Sequence, residues 1–208
     1  MNTIIYFADP MCSWCWGAAE AITQLKNQYN EFEFKLVMGG LRPYETRPLD
    51  ANYRDKLTHH WQEIHRMTGQ PFSYDILQTP DFVYNTEPAA RAVVTAKKIA
   101  PTKVFEFFKA VQKSFYAANK HPHQIDTYLE ICQEMSLSTE EFQQVFESEG
   151  IRQTTEAEFQ EAKTFYGITG FPTLLLQFGS KAKPIARGYM PYEQMQQNVE
   201  QILLKYQA

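Results

Sequence analysis

The chain opens on a short unbroken apolar run, Ile4-Ile5-Tyr6-Phe7, the pattern of a strand covered on both faces. Asp9-Pro10 breaks it. From Ser13 onward Trp14, Ala18, Ile22, Leu25 and Tyr29 recur at helical spacing, which predicts one amphipathic helix from Ser13 to Tyr29. Phe32, Phe34 and Leu36 then alternate with Glu33 and Lys35, and Val37-Met38 carry the run to Gly39-Gly40, predicting a second strand. The first forty residues therefore spell β-α-β, the unit of parallel sheets.

The middle of the chain has a different period. From 49 to 166 nearly everything reads as helix, with loops expected at 70–80 and around His121-Pro122. Two capping boxes are expected, Ser138 with Glu141 and Thr155 with Glu158. Strands return at the end: Thr173-Leu174-Leu175-Leu176-Gln177-Phe178, a Gly179-Ser180 turn and a partner at 184–187 predict a hairpin. Met195, Val199, Ile202, Leu203 and Tyr206 then mark a closing helix. The architecture expected is an α/β sheet domain, 1–45 plus 166–208, split by a helical insertion, 46–165.

Composition narrows the function. The 208 residues are 44% apolar and 21% charged, as in ordinary globular domains. A chain of that length buries about 70% of its unfolded surface and needs no disulfide staples. A net charge of −4 without a Lys/Arg block argues against a nucleic-acid or anionic-membrane partner, and no apolar run is long enough to span a bilayer. The start, Met1-Asn2-Thr3, lacks a basic and apolar leader, so a cytoplasmic protein is expected. Three cysteines are too few for a disulfide framework.

Two of those cysteines carry the chemistry. Cys12-Ser13-Trp14-Cys15 stands at a predicted helix start, where free backbone N–H groups and the helix dipole favour an anion. Cys12 is therefore expected to be the exposed thiol that attacks disulfides as a thiolate, with Cys15 one turn inside to resolve the mixed disulfide. A zinc half-site would need a second close pair of ligands, and none accompanies this one. His59, His60 and His65 lack the four-residue spacing for one-face chelation, so no metal site is expected. Cys132 lies on the apolar face shared by Ile125, Tyr128, Leu129 and Met135 and reads as a buried structural thiol. Phe105, Phe107, Phe108, Val111 and Phe115 read as helix core, and no strand is followed by a glycine-rich phosphate loop.

These residues resemble the DsbA family of the thioredoxin superfamily. The strand Ile4-Ile5-Tyr6-Phe7, the motif Asp9-Pro10-Met11-Cys12-Ser13-Trp14-Cys15-Trp16-Gly17 and the segment Thr169-Gly170-Phe171-Pro172-Thr173 carry the likeness, and the trailing Trp-Gly is similar to a FrnE-like, cytoplasmic DsbA-like branch. The resemblance implies a thioredoxin-like fold with a large helical insertion and a thiol–disulfide oxidoreductase. It also implies a cis Phe171–Pro172 bond facing the cysteines, with Phe171, Pro172, Ser13 and Trp14 touching substrate. DsbA itself has a histidine between its cysteines. Here Ser13-Trp14 supplies no charge, which points to a reductant or isomerase rather than a strong oxidant. No bound cofactor is expected. Partners would be thiol- or disulfide-containing proteins or small molecules, with glutathione as a redox partner.

Two other readings share some of these features. Glutathione-dependent isomerases and kappa-type transferases resemble the same layout, with a serine at the helix start that Ser13 could represent. Aromatic residues in expected loops, Tyr44, Phe72, Tyr74, Phe82 and Tyr84, would suit either a peptide-binding, redox-switched chaperone surface or a cap on the core.

Overall fold

The computed structural model describes residues 2–206. Strand β1, Thr3–Ala8, lies inside a four-stranded sheet of order β2-β1-β3-β4. Strand β2, Glu33–Met38, runs parallel to it with Tyr6 opposite Leu36, and β3, Thr173–Phe178, runs antiparallel with Tyr6 opposite Leu174. Strand β4, Lys181–Arg187, completes the hairpin at the sheet edge. It contains Pro184, which an edge strand tolerates because one side needs no ladder hydrogen bond.

The pleat sends alternate side chains to opposite faces. Ile4, Tyr6, Ala8, Leu36, Met38, Leu174 and Leu176 join one large core, whereas Ile5, Phe7, Val37 and Leu175 meet Ala162 in a small second one. The continuous apolar run of β1 is thus explained by cover on both faces.

The predicted first helix is broken. It consists of α1, Ser13–Gly17, and α2, Ala19–Gln28, with Ala18 as the joint. Gly17 accounts for the break, since glycine is a poor helix former and this one abuts the insertion. A Cβ there would lie 2.8 Å from Ile64 Cγ2.

The insertion comprises α3 (Ala51–Thr68), α4 (Asp75–Gln78), α5 (Glu87–Ile99), a 3-10 turn (Pro101–Lys103), α6 (Val104–Tyr116), α7 (Ile125–Glu134), α8 (Thr139–Glu147), α9 (Glu149–Gln160) and a π-helical turn (Glu161–Phe165). Helix α3 is bounded as its sequence dictates: the Asp50 side chain accepts from Tyr53 N at 2.8 Å, and Gly69 closes it at φ 74°. At the other end of the chain α10, Tyr192–Tyr206, packs on α2 and β4.

One expected capping box is present in its N-cap half and the other is not. Ser138 Oγ accepts from Glu141 N at 3.2 Å at the start of α8. Thr155, by contrast, lies inside α9, fully buried, donating to Ile151 O at 2.8 Å. Helix α9 starts about two turns earlier, where Ser148 accepts from Ile151 N. Glu158 does not reach back to a cap. It accepts from Met38 N at 2.8 Å and from Lys97 Nζ at 2.6 Å, tying α9 and α5 to the end of β2.

Four of the five loop aromatics serve the core. Phe82 and Tyr84 are buried, and Phe72 and Tyr74 pack on the fully buried Trp61, together with Phe115 and Tyr116. Tyr44 stays exposed, its hydroxyl donating to Glu156.

Candidate active site

Cys12 is the N-cap of α1. Its extended backbone lets the carbonyl accept from Cys15 N and Trp16 N, at 2.9 and 3.1 Å, so the residue is fixed to the helix while its side chain stands outside the first turn. The turn before it is held by Asp9. The carboxylate accepts from Met11 N at 2.8 Å and from Leu41 N at 2.7 Å, locking the cysteine loop to the chain that follows β2. Burial pushes this carboxyl up to about 6.

Phe171 comes from the far end of the sequence. The Cys12 thiol donates to its carbonyl at 3.5 Å, and the Phe171–Pro172 peptide is cis. The Phe171 ring lies on the bare backbone of Gly39, where a Cβ would sit 1.9 Å from a ring carbon. Pro172 is buried, and its carbonyl accepts from Gly188 N at 2.7 Å. Cys12 is more enclosed than expected, 5% exposed, because the Phe171 strand lead-in lies across it; Cys15 has no exposure at all.

The two thiols have unlike surroundings. Cys15 faces Cys12, the Asp9 backbone N–H and the Tyr6 hydroxyl. Burial pushes its thiol well up, and the hydrogen bond and charge of Cys12 push it further. Among the described residues Cys12, Cys15 and Cys132 are all free thiols. Ser13, the first residue of α1, is also buried. Trp14 is half-buried, with its ring 5.4 Å from His60 and 5.7 Å from Tyr189. The structure thus gathers Cys12, Ser13, Trp14, Cys15, Phe171 and Pro172 at one end of the sheet.

The insertion contributes directly to this end. Tyr84 donates to Met11 O at 2.7 Å and Trp16 Nε1 to Pro71 O at 3.0 Å. Of the groups around the thiols, the sequence reading named Asp9 in the cysteine motif, Tyr6 in the first strand and Tyr84 among the loop aromatics, and did not name Tyr116. The signal in Tyr6 was a hydroxyl inside a strand buried on both faces. The histidines take up other work: His59 and His65 bind the carbonyls of Asp55 and Gln70, and no metal-ligating group of three exists among the described residues.

A helix that follows the central strand and carries a dithiol at its start, opposite a cis-proline lead-in, defines a thioredoxin-fold dithiol protein. The sequence profile of the DSBA-like thioredoxin domain matches residues 3–200, and the chain belongs to that family. A candidate protein disulfide isomerase from Nitrosomonas europaea is 36% identical and superposes with a TM-score of 0.90, over 99% of this chain and 98% of that one. The cytosolic disulfide reductase DsbM from Pseudomonas aeruginosa, 23% identical, shares the fold at a TM-score of 0.79 over 97% and 99% of the two chains, and it has also been solved with glutathione. The ClpXP adapter protein SpxH of Bacillus subtilis is 24% identical over 151 residues, which is 70% of this chain but 48% of that relative, so this chain spans about half its length. No helix among the described residues is long and apolar enough to cross a membrane.

Proposed function

We propose that the protein reduces or isomerises disulfides through Cys12 and Cys15, with glutathione as its source of electrons. The carrying observation is the asymmetry of the pair: Cys12 retains a path to solvent beside the Phe171 carbonyl, while Cys15 is sealed beneath it with its thiol held protonated by burial. In the reductive direction the Cys12 thiolate attacks one sulfur of the substrate disulfide and the other sulfur leaves as a thiolate. Cys15 loses its proton and attacks Cys12, forming the Cys12–Cys15 disulfide and releasing the second substrate thiolate. Two glutathione thiols return the pair to dithiol and leave as glutathione disulfide. The Phe171 backbone gives an extended substrate an edge on which to lie.

The direction follows from what surrounds the sulfurs. A strong oxidant owes its potential to a stabilised reduced form. Here the side chains between the cysteines, Ser13 and Trp14, bring no charge, and the Cys12 thiol donates to a carbonyl instead of meeting a cation. The proposal of glutathione extends to this chain the pairing seen in the DsbM structure.

Equilibration in glutathione buffers, read by the fluorescence of Trp14 and Trp16, tests the direction. The disulfide should persist to a more reducing glutathione ratio than the disulfide of a strong oxidant does; a potential as oxidising as that of DsbA overturns the reading. Limited alkylation of the reduced protein tests the roles, since Cys12 should be labelled before Cys15 and Cys132.

A further inference from the structure

On the face of the sheet away from α1, the loop that leads into β3 and the end of β4 enclose a pocket of about 250 Å³. Ile168, Phe171 and Leu175 give it apolar walls. Arg187 is the one charged residue among those that line it. The strand register turns Arg187 to this face: Thr173 stands opposite Phe7 on β1 and opposite Arg187 on β4, and paired residues share a face. Phe7 belongs to the small core of that face. Lys35, on the same face, is paired with Glu161 at 2.8 Å, whereas the exposed Arg187 pairs with no carboxylate among the described residues. The pocket adjoins the reactive sulfur. Phe171 lines it and also accepts from the Cys12 thiol at 3.5 Å, and Gly188, next to Arg187, donates to the Pro172 carbonyl at 2.7 Å. Two hydrogen bonds and two peptide links therefore lead from the Cys12 sulfur to Arg187.

We propose that this pocket takes a carboxylate of the disulfide that Cys12 attacks, and that Arg187 makes the protein select disulfides that carry one. The inference rests on the dithiol reading above and names the substrate class of that site. A guanidinium fork matches a carboxylate with two parallel N–H···O bonds, and it gives up its water more readily than an ammonium does. The backbone N–H groups of Thr169 and Gly170, both exposed and both in the pocket lining, bond to no backbone carbonyl among the described residues and supply neutral donors beside the cation. A substrate laid along the Phe171 backbone has its reacting sulfur at Cys12 and its next group over the loop, beside the pocket. At about 250 Å³ the pocket is smaller than a site for a whole ligand and suits one arm of it. Glutathione disulfide meets this description, since each half ends in carboxylates on arms that leave the sulfur in both directions.

Oxidation of the reduced protein by an added disulfide, followed by the fluorescence of Trp14 and Trp16, tests this without any electron source. The oxidants compared are glutathione disulfide, its full ester, which has no free carboxylate, and the neutral hydroxyethyl disulfide. In Arg187→Gln the second-order rate constant for glutathione disulfide should fall about tenfold, the scale of a lost hydrogen bond to a charged group, while those for the ester and for hydroxyethyl disulfide stay within about twofold of wild type. Arg187→Lys should recover part of the loss, as a point charge without the fork. A fall of less than about threefold for glutathione disulfide, the worth of an ordinary exposed charge, or an equal fall for hydroxyethyl disulfide, overturns the proposal. Hydroxyethyl disulfide that reacts as fast with Cys12→Ser as with wild type would instead overturn the dithiol reading, so the two failures are distinct.

Discussion

Cys15 and Cys132 are both fully buried thiols whose ionisation burial opposes; Cys132 is pushed up to about 12. Their neighbourhoods differ in kind. Cys132 sits on α7 within the apolar core, and burial is the one influence acting on its ionisation. Cys15 is surrounded by polar groups: the Cys12 thiol, the Tyr6 hydroxyl and an Asp9 backbone N–H that favours its thiolate. Burial alone makes a thiol inert. Burial next to a second thiol, with a donor on each side, stores a nucleophile until that second thiol is occupied.

The largest effect expected from this contrast is on turnover. Cys12→Ser should reduce disulfide reduction to background and Cys15→Ser should stall as a mixed disulfide, detectable by mass, whereas Cys132→Ala should turn over like wild type. A loss of turnover in Cys132→Ala, with the fold intact by circular dichroism, would erase the distinction between the two buried thiols.

The second effect concerns Asp9, which belongs to the Cys15 side of the comparison. Its folded pKa of about 6 lies above the reference 3.8, so between those values the native protein binds a proton that the unfolded chain has released. Stability should therefore fall as pH rises from about 4 to about 6, by about 3 kcal/mol for this group. Urea denaturation across that range should give a flatter profile in Asp9→Asn; parallel profiles would show that the carboxyl is not desolvated. The smallest effect separates the thiols by stability. Cys132→Ser puts a hydroxyl among apolar side chains and should cost about 1–3 kcal/mol, whereas a serine at Cys15 has Tyr6 and the Asp9 N–H for partners and should cost less.

The sequence displays the sheet and the dithiol because both are local patterns. A run such as Ile4-Ile5-Tyr6-Phe7 and a turn such as Gly179-Ser180 declare themselves within a few residues, and so does a cysteine pair two residues apart. What stayed hidden depends on distant partners. Thr155 and Glu158 have the spacing of a cap, yet one back-bonds within its helix and the other reaches Met38 and Lys97. Gln112 sits fully buried among the apolar positions of α6, which the helical period does not announce. The joint at Ala18 reflects how closely α1 approaches Ile64, a contact with no trace in the amphipathic pattern.

The placement of β1 between β2 and β3 has a consequence for synthesis. Cys12 and Cys15 leave the ribosome with β1, but the Phe171 carbonyl that meets Cys12 lies 159 residues further along. Contacts of such separation form late, after the intervening chain has been made. For most of translation the nascent chain therefore presents an unroofed dithiol, and the Phe171 carbonyl that covers Cys12 arrives only with the lead-in to the last hairpin.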